Sequence, residues 1–530
     1  MKKNSESLTR LYPVLPKFEI VFYVVAWIFF YFWAVLQVFY ISNDITVPAL
    51  RRGDLEVKRN LFQPSRSLKD TLDFEWTSWN YLLWETIICA FSLHFVFMRF
   101  CEWFWPLHRF FCSAIFSILF CFYFFGWLCV VLLLAQTFIV FFVAFLTRNT
   151  VCTWVTSIVV LLLLTYKQTI DFLQIQIPDD YLLVMYICTC TMCNLRYIAF
   201  SLELCWQKSN SKNCDKNSTV VSSLDGSIGH VAKNLILYQF YFPLLVGGPI
   251  INYNDFCKQI YEKPIAKWDR SFVMSFVTGI LRYGACHVLI DVLLYYFYVT
   301  SIHSDAALLK KVPIHALCGL ALCYVQFFCL KYMVLYGLPA SVARAENLSV
   351  PGASHCVSAK HRFTDMWKYF DKGLHNWLLR YIYFPLGGYS KHDSFIKSTV
   401  NSAIPFVFVY IWHGMHTSHL YWAAVNWLGV YVEKIAMDVY RSERVKMFEA
   451  KYLSETNSRR LRAVFSSLPF SLLIVSNLYF LGGTEVGNIY MRRTYTENIA
   501  STLLIHVVLY FGVQTSMEIS SYQMSKTKQA

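Results

Sequence analysis

Long apolar runs alternate with short polar connections along the whole of this 530-residue chain. Most runs approach the roughly 20 residues that an α-helix needs to cross a bilayer. The pattern therefore predicts an all-α, polytopic membrane protein with about ten or eleven transmembrane helices and some shorter re-entrant segments. The predicted spans cover residues 20–41, 82–97, two helices within 110–146, 151–165, 181–195, 272–299, 314–336, 403–412, 420–432, 464–481 and 501–513.

The composition agrees with a membrane protein. Hydrophobic residues make up 56% of the chain and charged residues only 15%, against roughly 25% charged residues in an average soluble domain. The formal net charge is +14, but the lysines and arginines lie in connections beside the apolar runs. Such residues set topology and contact anionic lipids. We therefore expect membrane lipids among the partners of this chain, and no nucleic acid.

The N-terminal segment carries Lys2, Lys3, Arg10 and Lys17 ahead of the first predicted span. Basic residues concentrate on the cytosolic side of membrane proteins. This rule predicts a cytosolic N-terminus, although a second basic cluster at residues 51–59 on the far side dilutes the asymmetry.

The seventeen cysteines lie mostly in apolar runs, where a free thiol behaves as a small hydrophobic group. The one regular cluster contains Cys188, Cys190 and Cys193. It lacks the second cluster or histidine pair that a zinc site requires, so we interpret it as packing.

One ionisable side chain ends an apolar run: His413 follows residues 403–412 and precedes Gly414. An ionisable group inside a membrane is costly and is a functional candidate by default. Imidazole titrates near neutral pH, which suits a general base. The alternative is a hydrogen-bonded histidine at the membrane interface, and the residues alone support both interpretations equally.

A polar segment rich in aromatic residues covers residues 362–380. On a continuous helix, Trp367, Asp371 and His375 would lie on one face, where the carboxylate could orient an imidazole or hold an ammonium group. The alternative is an interfacial helix with aromatic anchors and basic side chains that reach the lipid headgroups. Composition alone favours this alternative.

Taken together, these segments resemble the membrane-bound O-acyltransferase family. The family-level feature is Trp412-His413-Gly414 after an apolar run, with the polar aromatic helix upstream. Within the family, the chain resembles most closely the members that acylate Hedgehog proteins. The segments that carry this closer resemblance are 195–197 with 200–206, 363–383, 422–429 and 476–487.

The resemblance implies three parts: N-terminal transmembrane helices over residues 1–190, a catalytic core over 191–490, and a last transmembrane helix with a cytosolic tail over 491–530. It implies a palmitoyltransferase of the endoplasmic reticulum that moves palmitate from palmitoyl-CoA to the N-terminal cysteine amine of a secreted Hedgehog signalling domain. A tunnel through the protein would join the cytosolic donor to the lumenal acceptor, since neither crosses the hydrocarbon core. We expect a monomer. The alternative is a family member with another acceptor, either a serine of a secreted protein or a lipid alcohol.

The resemblance also implies roles for individual residues. His413 matches the family's catalytic histidine and Asp371 its second catalytic residue. Trp367 and Asn477 match positions that line the acyl-CoA site. Cys356 corresponds to a cysteine that ligates haem, which makes haem b an expected cofactor, although the stretch around it diverges.

Two further expectations concern the substrates. Lys368, Lys372 and Arg380 could meet the phosphates of CoA at the cytosolic mouth. His413 would accept a proton as the amine attacks the thioester, with Asp371 orienting the histidine or holding the incoming ammonium. The amine could attack directly, or the cysteine thiol could attack first and pass the acyl group to nitrogen.

Overall fold

The computed structural model describes residues 12–44, 55–58, 67–210, 219–262, 268–388 and 394–529. Lys2, Lys3 and Arg10 lie outside these residues, so the orientation of the N-terminus stays a prediction. The α-helices are α1 (Lys17–Asp44), α2 (Phe74–Leu82), α3 (Ile88–Phe104), α4 (Arg109–Phe125), α5 (Trp127–Thr147), α6 (Thr150–Thr165), α7 (Lys167–Gln176), α8 (Asp180–Asn210), α9 (Thr219–Leu224), α10 (Ile228–Gln239), α11 (Tyr253–Glu262), α12 (Arg270–Leu293), α13 (Val299–Ser304), α14 (Ala306–Lys311), α15 (Ile314–Ala345), α16 (Phe363–Phe370), α17 (Lys372–Leu378), α18 (Phe395–Trp412), α19 (Thr417–Arg441), α20 (Glu443–Tyr452), α21 (Glu455–Tyr495) and α22 (Ile499–Gln529).

Two short strands and several tight turns complete the described structure. β1 (Leu55–Val57) pairs antiparallel with β2 (Leu68–Asp70). A π-helical turn at Leu83–Ile87 joins α2 to α3, and another at Leu379–Tyr383 follows α17. The predicted all-α class is confirmed.

Within the described ranges, nine helical segments are long and apolar enough to cross a membrane, or up to ten if the bent pair of α6 and α7 forms one span. The chain is therefore a multi-pass membrane protein. The nine segments are α1, α2 with α3, α4, α5, α8, α12, α15, α21 and α22. They do not include α18 and α19, which the sequence interpretation counted as spans.

Two glycines explain a helix boundary and a helix kink. The apolar stretch that was predicted to form two helices divides at Gly126, whose φ of 84° lies in the left-handed region that glycine adopts readily. Gly483, also with a φ of 84°, interrupts α21 with a kink. This kink lies a few residues after Asn477, so it changes the direction of the helix close to the candidate site.

The helices differ widely in how much of their surface the protein covers. α8 is the most enclosed of the nine candidate spans, whereas α1 is almost entirely uncovered. Apolar side chains of α1 such as Phe22, Phe29 and Phe32 are exposed, as expected for a helix that faces lipid. The described cysteines are free thiols, and Cys190 and Cys193 of α8 are fully buried. α8 is therefore the rigid centre against which other elements are placed.

Candidate active site

The polar aromatic segment does not form one continuous helix, because it is broken at Asp371. Asp371 has φ −128° and ψ 90°, which ends α16 and begins α17. Its carboxylate accepts a hydrogen bond from the backbone N–H of Leu374. Aspartate is a preferred N-cap residue because it satisfies a free N–H of the first helical turn. The preference for capping therefore outweighs the amphipathic pattern, and Asp371 does not share a continuous helical face with Trp367 and His375.

Two tryptophans fix the candidate catalytic elements to α8. The indole N–H of Trp412 donates to the carbonyl oxygen of Thr191 at 3.2 Å, and that of Trp377 donates to the carbonyl oxygen of Leu195 at 2.9 Å. Thr191 and Leu195 are one helical turn apart. Trp412 directly precedes His413, and Trp377 lies in α17, which Asp371 caps. The most enclosed helix thus positions both candidate catalytic residues on successive turns.

His413 ends α18 and is half-buried in an aromatic environment. Its ring centroid lies 5.0 Å from Phe480, 5.6 Å from His419 and 6.1 Å from Trp422. Among the described residues, the imidazole has no hydrogen-bond partner, so its nitrogens are available to a substrate. His413 is outside the nine spans, and burial, followed by the neighbouring His419, lowers its pKa. The imidazole is therefore neutral at physiological pH and can accept a proton.

An aromatic stripe on α15 contacts the surroundings of both candidate catalytic residues. Phe328, Tyr332 and Tyr336 lie four residues apart, on one helical face. Phe328 stacks on Phe370, the residue before Asp371, with centroids 5.2 Å apart. Phe328 also lies 5.9 Å from Phe480, the ring that packs on His413. The described side chains form no direct hydrogen bond between His413 and Asp371, so an aromatic layer joins them.

Both oxygens of the Asp371 carboxylate are held. Oδ1 accepts from the N–H of Leu374 at 2.9 Å, and Oδ2 accepts from the hydroxyl of Tyr336 at 3.2 Å. Asp371 lies outside the nine spans. Burial raises its pKa, and the hydrogen bonds from Leu374, Tyr336 and Gly373 oppose this. The side chain is therefore fixed in one orientation.

Trp367 is oriented by a buried amide that the sequence analysis overlooked. Its indole N–H donates to Oδ1 of Asn426 at 3.1 Å. The amide of Asn426 donates in turn to the carbonyl of Trp422 at 2.8 Å and to the hydroxyl of Ser476 at 3.2 Å. Asn426 thus ties α16, α19 and α21 together. A single amide within the apolar stretch 420–432 was the available signal.

Asn477, the residue after Ser476, lines an apolar cavity of about 270 Å³. The walls come from α1, α15, α21 and α22, with Trp27, Tyr31, Val325 and Leu504 among the lining residues. Asn477 is the only predicted site residue in this lining. Because its neighbour Ser476 binds Asn426, the cavity borders the cluster that orients Trp367.

The three residues predicted to contact the CoA phosphates differ in whether they already have an ionic partner. Lys368 and Lys372 are exposed. The guanidinium of Arg380 instead forms an ion pair with the buried carboxylate of Glu203, with Nε and Oε1 2.6 Å apart. A phosphate contact by Arg380 would therefore compete with an existing partner. Its role stays a prediction, as do those of Lys368 and Lys372.

Cys356 does not fit a haem site. A haem-ligating thiolate depends on burial and on its second shell to tune the iron, but Cys356 is exposed. No cluster of three or more His, Cys, Asp or Glu side chains that could hold a metal occurs in the described part of the chain. The expected haem therefore has no support among the described residues.

Glu433 and Lys331 were missed by the sequence analysis. Glu433 of α19 accepts from the backbone N–H of Phe363 at 2.6 Å and from the hydroxyl of Thr364 at 2.7 Å. This carboxylate satisfies the free N-terminus of α16, the helix of Trp367. Lys331 is a buried lysine in the middle of α15. A lone cation inside an apolar run was a readable signal, because such residues are costly and rarely incidental.

Comparison with known proteins gives matches over the part of the chain that contains the candidate site. The family profile described as "MBOAT, membrane-bound O-acyltransferase family" matches residues 153–475. The mouse protein-cysteine N-palmitoyltransferase HHAT is 31% identical over 486 residues, which cover 91% of this chain and 94% of that protein. The Drosophila melanogaster protein-cysteine N-palmitoyltransferase Rasp is 31% identical over 294 residues, covering 55% of this chain and 57% of Rasp. The mouse protein-cysteine N-palmitoyltransferase HHAT-like protein is 26% identical over 454 residues, covering 85% of each.

The matched range contains Asp371, His413 and both tryptophans that anchor them to α8, and the resemblance inferred from the sequence is confirmed. On the extent of the profile match and of the similarity to mouse HHAT, this chain is an acyltransferase and belongs to the membrane-bound O-acyltransferase family.

Proposed function

We propose that this chain transfers palmitate from palmitoyl-CoA to the N-terminal cysteine amine of a secreted Hedgehog protein. The observation that carries the proposal is the common anchoring of His413 and of the Asp371-capped helix on successive turns of α8. The similarity to mouse HHAT over 91% of the chain supports the choice of donor and acceptor.

The reaction forms a C–N bond and breaks a C–S bond. The lone pair of the amine attacks the thioester carbonyl carbon, His413 accepts the proton that the nitrogen loses, and the CoA thiolate leaves and takes that proton. An N-terminal amine has a pKa near ~7.7–8.0, so much of it is protonated at neutral pH. Asp371 would hold this ammonium until it loses its first proton to water, and the neutral amine then attacks.

The same residues accommodate a second route. The thiol of the acceptor cysteine can attack first, with His413 taking the thiol proton, and the acyl group then passes to the neighbouring nitrogen. Both routes require a neutral imidazole beside the thioester, and the lowered pKa of His413 supports this state.

The donor's apolar chain needs an apolar site. The cavity that Asn477 lines has such walls and borders the Trp367 cluster, and we assign it to the palmitoyl chain. Lys368 and Lys372 are exposed and would contact the CoA phosphates. Arg380 would join them only by leaving Glu203.

The two substrates approach from opposite sides in this proposal. Palmitoyl-CoA reaches the site from the cytosol and the acceptor waits in the lumen of the endoplasmic reticulum, so a tunnel must join the two faces. We also propose that the N-terminus lies in the cytosol. The enzyme would act as a monomer, because the proposed catalytic residues all belong to one chain.

The test uses detergent-purified protein, labelled palmitoyl-CoA and a synthetic Hedgehog N-terminal peptide. We expect amide-linked label on the peptide, none on a peptide with a blocked amine, and a loss of roughly 100-fold or more in His413→Ala. The exposed His416 lies three residues away, and His416→Ala is the matched control that should keep full activity.

Other outcomes discriminate between the hypotheses. Label on a serine-bearing peptide or a lipid alcohol, but not on the Hedgehog peptide, would replace the acceptor and keep the fold. Equal transfer by wild type and His413→Ala would remove His413 as the base.

A further inference from the structure

A partly buried ion cluster lies beside the candidate active site: Lys331 is buried, whereas the side chains of Asp73 and Glu75 are 15% and 33% exposed. Lys331, in the middle of α15, is 4% exposed. Its ammonium contacts both carboxylate oxygens of Asp73 at 3.0 Å and Oε2 of Glu75 at 2.8 Å. Asp73 also caps α2 by accepting from the N–H of Trp76 at 2.8 Å. The cluster therefore fixes the start of α2 against the centre of α15.

The cluster continues toward Asp371 through two tyrosines. The hydroxyl of Tyr332 donates to Oε1 of Glu75 at 2.9 Å. The ring of Tyr332 packs edge-on against that of Tyr336, with centroids 5.3 Å apart. Tyr336 donates to Asp371 at 3.2 Å. Each link restricts the next side chain, from the ammonium to the carboxylate.

We propose that the ion cluster of Lys331, Asp73 and Glu75 positions the Asp371 carboxylate through the Tyr332–Tyr336 pair. Glu75, Tyr332 and Tyr336 are then positioning residues of the acyl transfer reaction. The inference rests on the proposed function insofar as Asp371 takes part in the reaction.

The energetics of burial support a role beyond simple cohesion. Removing the Lys331 ammonium from water is expensive, and an ion pair made in this way is weak evidence for stability, because apolar residues of similar volume often stabilise as well or better. Such a network can instead fix the orientation of its side chains. A carboxylate displaced by about 1 Å from its productive place costs up to about 100-fold in rate.

The first experiment removes a single hydroxyl. Tyr336→Phe keeps the ring and deletes the donor to Asp371. We expect kcat to fall about tenfold because the carboxylate is misplaced, with the KM for palmitoyl-CoA unchanged and the thermal stability in detergent lowered no more than in the control variant, which also loses one hydrogen bond. Tyr324→Phe is the matched control, because Tyr324 lies on the same helix and donates to the carbonyl of Leu481 at 2.7 Å. It should keep the wild-type kcat.

The second experiment tests whether Glu75 acts through Tyr336. Lys331→Met would leave two partly buried carboxylates without their cation and could unfold the protein, so Glu75→Gln is used instead. We expect Glu75→Gln alone to lower kcat about threefold, and the double variant with Tyr336→Phe to lower it about tenfold, as the single tyrosine change does. Such non-additivity measures coupling between the two sites.

Several outcomes would overturn the inference. A wild-type kcat in Tyr336→Phe would do so, as would additive losses of about thirtyfold in the double variant. These results leave the proposed function intact when the wild type acylates the Hedgehog peptide. If the wild type acylates only an alcohol, the proposed acceptor fails, and the same variants are compared on that alcohol.

Discussion

The indole nitrogen of Trp412 lies 3.2 Å from the carbonyl oxygen of Thr191, so the residue next to the proposed base is held by the most enclosed helix. Gly414 and Met415, both with positive φ, turn the chain away immediately after His413. Because the backbone turns at this point, the hydrogen bond of Trp412 helps to keep the end of α18 in place.

We predict that Trp412→Phe impairs catalysis more than folding. The phenyl ring retains most of the packing but cannot donate to Thr191, which should cost about 1 kcal/mol of stability. Misplacement of His413 should lower kcat about tenfold or more. Trp427→Phe is the control, because it removes the equivalent bond to Ser402, of 3.1 Å, elsewhere in the bundle. A wild-type kcat in Trp412→Phe would contradict the anchoring role.

A second prediction concerns the amide that orients Trp367. Asn426→Leu leaves the indole N–H of Trp367 and the hydroxyl of Ser476 without this partner, so we expect a loss of about 1–3 kcal/mol of stability. Because the cluster borders the cavity lined by Asn477, the KM for palmitoyl-CoA should rise.

The control for Asn426 is another buried amide. Asn401 donates to the carbonyl of Leu386 at 2.7 Å, away from the cavity lining. Thermal unfolding and donor kinetics are measured for both variants. Asn401→Leu should lose stability and keep its KM, whereas a wild-type KM in Asn426→Leu would contradict the link to the donor site.

The sequence predicted most of the helical spans because hydrophobic length is a local property; α18 and α19 are the exceptions. The division of the long apolar stretch 110–146 into two helices followed from the same pattern. The break at Asp371 did not, because two local preferences compete there. Amphipathic spacing favours one helix through residues 362–380, whereas the aspartate favours a helix start. Nothing in the segment itself indicates which preference prevails; the close packing of Gly373 on Ile250 and the hydrogen bond of Trp377 to α8 favour the break.

Contacts between residues far apart in the sequence could not be predicted from local patterns. Lys331 and Asp73 are 258 positions apart, and no periodicity relates them. The same holds for the carbonyls of Thr191 and Leu195, which any helix would offer and which only the folded chain brings beneath Trp412 and Trp377. The family resemblance proposed His413 and Asp371 as catalytic residues; the contacts that position these two residues required the structure.

A third prediction tests how closely α17 must approach the loop before α11. A Cβ atom at Gly373 would lie 2.5 Å from the carbonyl oxygen of Ile250, a backbone atom that cannot turn away. Gly373→Ala should therefore displace α17 and, with it, Asp371. We expect transfer activity to fall roughly 100-fold, as for a displacement of about 1 Å at a reacting group.

Gly352→Ala is the matched control for this substitution, because a Cβ atom there meets no atom within 4 Å. Activity and the melting temperature of both purified variants are compared. Gly352→Ala should match the wild type. Normal activity in Gly373→Ala would mean that the loop at Ile250 yields, and that the close approach is not required.

The last prediction concerns acid stability and His361, which lies outside the nine spans. Its Nδ1 is 2.8 Å from the hydroxyl oxygen of Ser516, and that hydroxyl donates to the carbonyl of Ala359. Nδ1 is therefore the protonated nitrogen of a neutral imidazole. Burial, followed by the nearby Arg362, lowers the pKa of His361 to about 4, against about 6.5 in an unfolded chain.

The unfolded state thus binds a proton at a higher pH than the folded state. The contribution of His361 to stability is complete above about pH 6.5 and is lost as the pH falls toward about 4, by up to about 3 kcal/mol. His361→Asn keeps a donor for Ser516 but does not titrate. Thermal unfolding in detergent should therefore become less sensitive to acid in this variant. His303, whose pKa burial also lowers to about 4, is present in both proteins, so the difference between their pH profiles reports His361. Parallel profiles would show that His361 is not buried as a neutral base.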